Sequence, residues 1–102
     1  MTAASAPADE LVERVAAAVR SDPAVADLHG GPLNAIGTYL PDGRLVGVRI
    51  SPGEPVEIGV VLRLDRPIPD VVAGLRATVS RLCGGAPVDV VVGDVLEEGM
   101  PR

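Results

Sequence analysis

Residues 56–95 constrain the fold of this chain more than any other stretch, because they read strand, helix, strand. Val56, Ile58, Val60, Leu62 and Leu64 alternate with Glu57, Gly59, Val61, Arg63 and Asp65. A period of two places the first set on one face of a β-strand. Arg66-Pro67-Ile68-Pro69-Asp70 breaks that strand and opens a helix from about Pro69 to Cys83. Its apolar stripe is Val71, Val72, Leu75, Val79 and Leu82, while Asp70, Arg76, Ser80 and Arg81 face out. Gly84-Gly85 supplies a helix C-cap, and Val88, Val90 and Val92 restart the alternation in a strand over 88–95.

Upstream, Pro7 is well placed to start a helix, with Asp9 and Glu10 in its first turn where acids favour the dipole. Leu11, Val12, Val15, Ala16 and Val19 recur at helical spacing, and Ser21-Asp22-Pro23 stops the helix. Val25 and Leu28 suggest a short extended piece, and Ala35–Leu40 another. Gly30-Gly31-Pro32 is a turn or loop, and Pro41-Asp42-Gly43 is a strong turn signal. Leu45–Ser51 reads as a strand with Val46, Val48 and Ile50 on one face, joined to strand 56–65 as an antiparallel hairpin.

The predicted class is α+β, with the order α-β-β-α-β and minor strands near 25–40. A small, mostly antiparallel sheet of three to four strands carries two helices on one face. Residues 7–95 form a single domain between a flexible lead-in, 1–6, and a flexible tail, 96–102.

The core must be built from Val, Ala, Leu and Ile, since the chain has no Phe or Trp and one Tyr, Tyr39. That poverty of rings counts against single-strand nucleic-acid binding by stacking. Nine basic residues, all Arg, face fourteen acidic ones, for a net charge of −5. An acidic surface repels phosphate backbones, so nucleic acid is disfavoured as a partner. No apolar run approaches the ~20 residues needed to span a bilayer, and no signal-type segment is present, so a cytoplasmic protein without direct membrane insertion is expected.

The sequence contains no nucleophile elbow, phosphate loop, zinc spacing or carboxylate pair in a recognisable frame, so no enzyme, cofactor or metal is expected. His29, in Asp27-Leu28-His29-Gly30-Gly31, reads as a solvated loop histidine, and Cys83 as a buried, inert thiol near a helix C-terminus. One feature resists a purely structural reading. Gly47, Gly59 and Gly93 fall on the sheet face opposite the core, among Leu45, Arg49, Val61, Arg63, Asp89, Val91 and Val95. Glycine inside a strand often marks the close approach of another backbone or a ligand. This face is solvated, is covered by the 24–40 segment, or is a partner surface comprising Gly47, Arg49, Gly59, Val61, Arg63, Val91 and Gly93.

The order of elements resembles the alkaline-shock-protein (Gls-type) family of bacterial envelope stress response proteins. The likeness rests on the first helix running into Val25-Ala26-Asp27-Leu28-His29-Gly30-Gly31, and continues through Tyr39-Leu40-Pro41, Gly47-Val48-Arg49 and strand 56–64. It extends over Ile68-Pro69-Asp70-Val71-Val72 and ends with Val88-Asp89-Val90-Val91-Val92-Gly93-Asp94-Val95. The resemblance covers about residues 10–95. It implies a small non-enzymatic domain for cell-envelope homeostasis, cytoplasmic or held at the membrane by a partner membrane protein, and able to self-associate. The order α-β-β-α-β also occurs in KH-like RNA-binding modules, which clamp nucleotides with a G-x-x-G loop. No G-x-x-G stands between the two helices here.

Overall fold

In the computed structural model, which describes residues 7–97, the first helix, α1, is Pro7–Arg20. Asp9 and Glu10 lie in its first turn and Arg20 in its last, both favourable to the helix dipole. The helix ends where the Ser21 hydroxyl donates to Ala17 O at 2.8 Å and the Asp22 carboxylate accepts the Ala24 N–H at 2.9 Å. That turn carries the chain through Pro23 into β1 (Val25–Leu28).

Five more strands follow: β2 (Gly37–Leu40), β3 (Gly43–Val46), β4 (Val48–Arg49), β5 (Val56–Arg63) and β6 (Val88–Leu96). The second helix, α2 (Ile68–Leu82), lies between β5 and β6. β5 is the hub. β1 and β4 pair with it antiparallel, β1 along Val60–Leu62 and β4 along Glu57–Ile58, so the two lie end to end on one side of it. β6 pairs with it parallel on the other side, from Val56↔Val88 to Arg63↔Leu96. The sheet is therefore mixed, and its longest ladder is parallel. A βαβ crossover explains this, since a strand that returns after a helix re-enters in the same direction.

Val12, Val15, Ala16 and Val19 of α1 and Val71, Leu75 and Val79 of α2 form one buried cluster with Val48, Val56, Ile58, Val60, Leu62 and Val88 of the sheet. Both helices thus cover the same sheet face. Among the described residues the buried side chains of this core are all apolar. Beyond the C-cap of α2 the chain turns away at Gly84, whose φ of +69° suits glycine. The Gly85 N–H donates to Ser80 O at 2.7 Å and the Gly84 N–H to Arg81 O at 3.4 Å, the paired bonds of a Schellman stop.

Three expectations change. Residues 45–51 do not form one strand. Gly47, at φ +97°, divides them so that β3 pairs with β2 in a separate two-stranded ribbon while β4 joins the main sheet. β6 carries a bulge at Gly93, where Val60 pairs with Val92 but Val61 pairs with Asp94. The extra residue shifts the alternation, so Val95 stands beside Leu62 on the core side rather than with Val91. Finally, Leu96 belongs to β6, not to a tail. The lead-in 1–6 and residues 98–102 lie outside the described residues.

Candidate functional site

The sheet face opposite the helices is organised around Gly59. The His29 N–H donates to Gly59 O at 2.8 Å, and the Gly59 N–H donates to Gly47 O at 2.9 Å. The chain therefore leaves β1 and returns to β4 on the two sides of a single residue. A Cβ on Gly59 would lie 2.0 Å from His29 O, a backbone atom, and 3.4 Å from the Ile36 side chain. A Cβ on Gly93 would lie 2.1 Å from the imidazole Nδ1 of His29, and one on Gly47 2.7 Å from Leu28 Cβ. All three glycines make room for the 28–36 segment. Ile36 is buried on this face, 4% exposed and outside the main core cluster.

These contacts correct one sequence reading and decide among the options of another. His29 is not a solvated loop side chain. It is half-buried, its ring lies over Gly93, and its Nδ1 accepts the Gly31 N–H at 2.9 Å. An accepting Nδ1 places the neutral ring's proton on Nε2. Of the three readings of the face that carries Gly47, Arg49, Gly59, Val61, Arg63, Val91 and Gly93, cover by the 24–40 segment describes its centre, where His29 and Ile36 lie against Gly59, while Gly93, with the His29 ring beside it, stays exposed. Its remaining members are half-buried at the margins. Arg49 is paired with Glu57. Arg63 donates to Pro23 O at 3.2 Å and Val25 O at 2.8 Å, fastening the start of β1. Val91 stands beside Gly59 across the β5–β6 ladder.

What projects instead is the excursion between His29 and Gly47. Leu33 and Asn34, in the short 3-10 turn Pro32–Asn34, both have left-handed backbone, at φ +57° and +55°. Arg44 holds this knuckle from β3 by donating to Asn34 O at 2.7 Å, and its guanidinium stands 5.7 Å from the Tyr39 ring centroid. The β2–β3 ribbon is tied to the sheet through the Thr38 hydroxyl, which donates to Val48 O at 2.7 Å, and the Gly47 N–H, which donates to Ile36 O at 2.9 Å. Leu33 is 99% exposed and Tyr39 82%. Sequence reasoning passed over both, since neither a left-handed Leu nor the outward side of a short ribbon has a periodic signature.

Between the ribbon and α1 lies an open groove of about 590 Å³, whose charged lining is Glu13, Arg20, Asp27, Asp42 and Arg44. Three carboxylates against two guanidiniums give it no strong lean toward anions. Among the described residues no group of three His, Cys, Asp or Glu side chains is placed to hold a metal ion, and no helix is long and apolar enough to cross a membrane.

Cys83 is half-buried at the C-cap of α2, and burial pushes its thiol pKa up. A raised pKa leaves less thiolate at neutral pH. Alkylation by iodoacetamide at pH 7 is therefore expected to run several-fold slower on the native chain than on the same chain in urea. The native rate should climb only as pH rises past the ordinary thiol range. Equal rates in the two states would show that the thiol is not suppressed.

Comparison of the chain with protein-family models, with curated proteins and with solved structures returns no match.

Proposed function

We propose that this chain is a non-enzymatic interaction domain of the envelope stress response type. In this reading it assembles with itself or with an envelope-associated partner protein, acting from the cytoplasm or held at the membrane by that partner. The observation that carries the reading is Leu33. A large apolar side chain, 99% exposed, is held out on left-handed backbone. That geometry costs an L-residue about 1–2 kcal/mol, and glycine would adopt it freely. Strain retained to display an apolar group supports use of that group in a contact. Tyr39 and Arg44 beside it are of the residue types that dominate interface energetics.

Crosslinking and affinity purification from native membrane and cytosol fractions test the reading, comparing the native chain with a Leu33→Gly/Tyr39→Ser variant. The native chain is expected to recover a specific envelope-associated protein. The variant should lose that recovery while its thermal midpoint stays level or rises by a few degrees, as strain is relieved at position 33. Recovery of RNA in place of protein, or capture undiminished by the double substitution, would overturn the reading.

A further inference from the structure

The outer edge of β6 is the feature that carries an inference furthest. β6 pairs with β5 on one side, and among the described residues no strand pairs with it on the other. Its polarity can be read from its ends. Pro87 O accepts the Val56 N–H and Leu96 O accepts the Leu64 N–H, so these carbonyls face β5. Alternation then turns the N–H and C=O groups of Val88, Val90 and Val92 outward. Arg76 of α2 confirms the direction at one point, since its Nε donates to Val88 O at 3.1 Å. Native edges are usually blunted by Lys, Pro or a bulge. Here the bulge waits until Gly93, Val88-Asp89-Val90-Val91-Val92 contains no Pro, and its one charge, Asp89, stands on the sheet face opposite the helices.

We propose that the edge Val88–Val92 pairs antiparallel with the same segment of a second copy of this chain, about a two-fold axis beside Val90. The proposal rests on the self-assembly half of the functional reading and gives it a surface separate from Leu33 and Tyr39, so the Leu33→Gly/Tyr39→Ser variant should still dimerise. The register follows from charge and geometry. Centring the pair on Asp89 sets two carboxylates opposite each other, a destabilising juxtaposition. Centring it on Val91 or Val92 runs the ladder into the Gly93 bulge, and centring it on Val88 runs it into Ala86-Pro87 beyond the strand. With Val90 at the axis, Val88 meets the second copy's Val92, Val90 meets Val90, and Asp89 meets Val91. Every bonded position lies upstream of the bulge. Asp89 already adjoins Glu57 across the β5–β6 ladder, so the uncharged Val91 is the neighbour that spot accepts. Val88 O keeps a second lone pair for the incoming N–H alongside Arg76. The helix-side row of cross-strand pairs is valine throughout, a favourable pairing type in sheets. The union is an isologous contact that closes at two copies and joins two mixed sheets into one.

Sedimentation of the full chain across a concentration series provides the test. The native chain is expected to dimerise. Val90→Pro removes an outward N–H that the β5–β6 ladder does not use, so circular dichroism should hold while the dissociation constant rises at least about tenfold. In a Cys83→Ser background, Val90→Cys should crosslink to itself under mild oxidation, since bonded antiparallel pairs sit about 5.5 Å apart at Cα, within disulfide reach. Val91→Cys should not, because in this register the two copies of position 91 stand about 8 Å apart. The crosslinking pair decides the matter if Val90→Pro disturbs folding. A native chain that stays monomeric throughout overturns the proposal while leaving capture of another protein intact. A dimer that ignores Val90→Pro, or that crosslinks through Val91→Cys and not Val90→Cys, overturns the proposal and leaves self-assembly by another surface.

Discussion

Gly59→Ala is expected to cost about 3 kcal/mol or more, although alanine in place of glycine in a strand ordinarily gains roughly 0.5–1 kcal/mol. The reversal comes from one methyl group. The added carbon would lie 2.0 Å from the carbonyl oxygen of His29, which is backbone and has no rotamer to change. For His29 to withdraw, its N–H must leave Gly59 O, and movement of Gly59 itself strains its bond to Gly47 O. Each buried backbone group left without a partner costs about 1–3 kcal/mol. Against a total stability of about 5–15 kcal/mol for a domain of this kind, that loss leaves the fold marginal. Urea unfolding gives the measurement. A midpoint equal to or above that of the native chain would show that the 29–47 excursion does not rest on β5 as described.

Ile58→Ala is expected to cost about 3–5 kcal/mol, in the upper part of the range for large-to-small core changes. Ile58 is fully buried and stands in one row between Val48 on β4 and Val90 on β6. Its neighbours on the strands and helices are mostly β-branched and stiff at χ1, so they collapse poorly into the space vacated. No Phe or Trp is present to swing in. Ile58→Val, which removes one methyl, should cost only about 0.5–1.5 kcal/mol. A loss under about 1 kcal/mol for Ile58→Ala, at unchanged m-value, would mean the core repacks freely around the gap.

The helix-facing side of the molecule was legible because its signals are local. Val56, Ile58, Val60 and Leu62 alternate without interruption, and Val71, Leu75 and Val79 keep helical spacing, so periodicity alone sorts them. The opposite face was legible only in part, as a face that the 24–40 segment was one candidate to cover, and for a physical reason. Gly59 and Gly93 announced that something comes close, but the group that does so, His29, is chosen by tertiary folding. Its partners Gly31, Gly59 and Gly93 are scattered along the chain. The bulge at Gly93 was hidden because Val91 and Val92 occupy both faces before it and Val95 and Leu96 both faces after it, so a one-residue slip still leaves an apolar residue on the core side. Leu45–Ser51 misled in a similar way. Its alternation is regular, and only the positive φ of Gly47, which composition does not reveal, sends its two halves into different sheets. Direction was legible in outline, since three of the four strand pairings are antiparallel and the parallel β5–β6 pair follows from the helix between its strands.

The junction at Gly59 has an engineering consequence. β1 and β4 occupy the same side of β5, and the amide and carbonyl of one residue fix both the exit of the chain at His29 and its re-entry at Gly47. Everything between is a cassette spliced into what is otherwise a single edge strand. Closing a loop between fixed ends becomes only about 0.6 kcal/mol dearer for each doubling of its length. A sandwich of this design can therefore exchange its displayed segment for one of different size and chemistry while its helices and central strand stay as they are. Variation within such a scaffold belongs at the exposed residues 32–35, 39 and 41–43, where one frame can present many different faces.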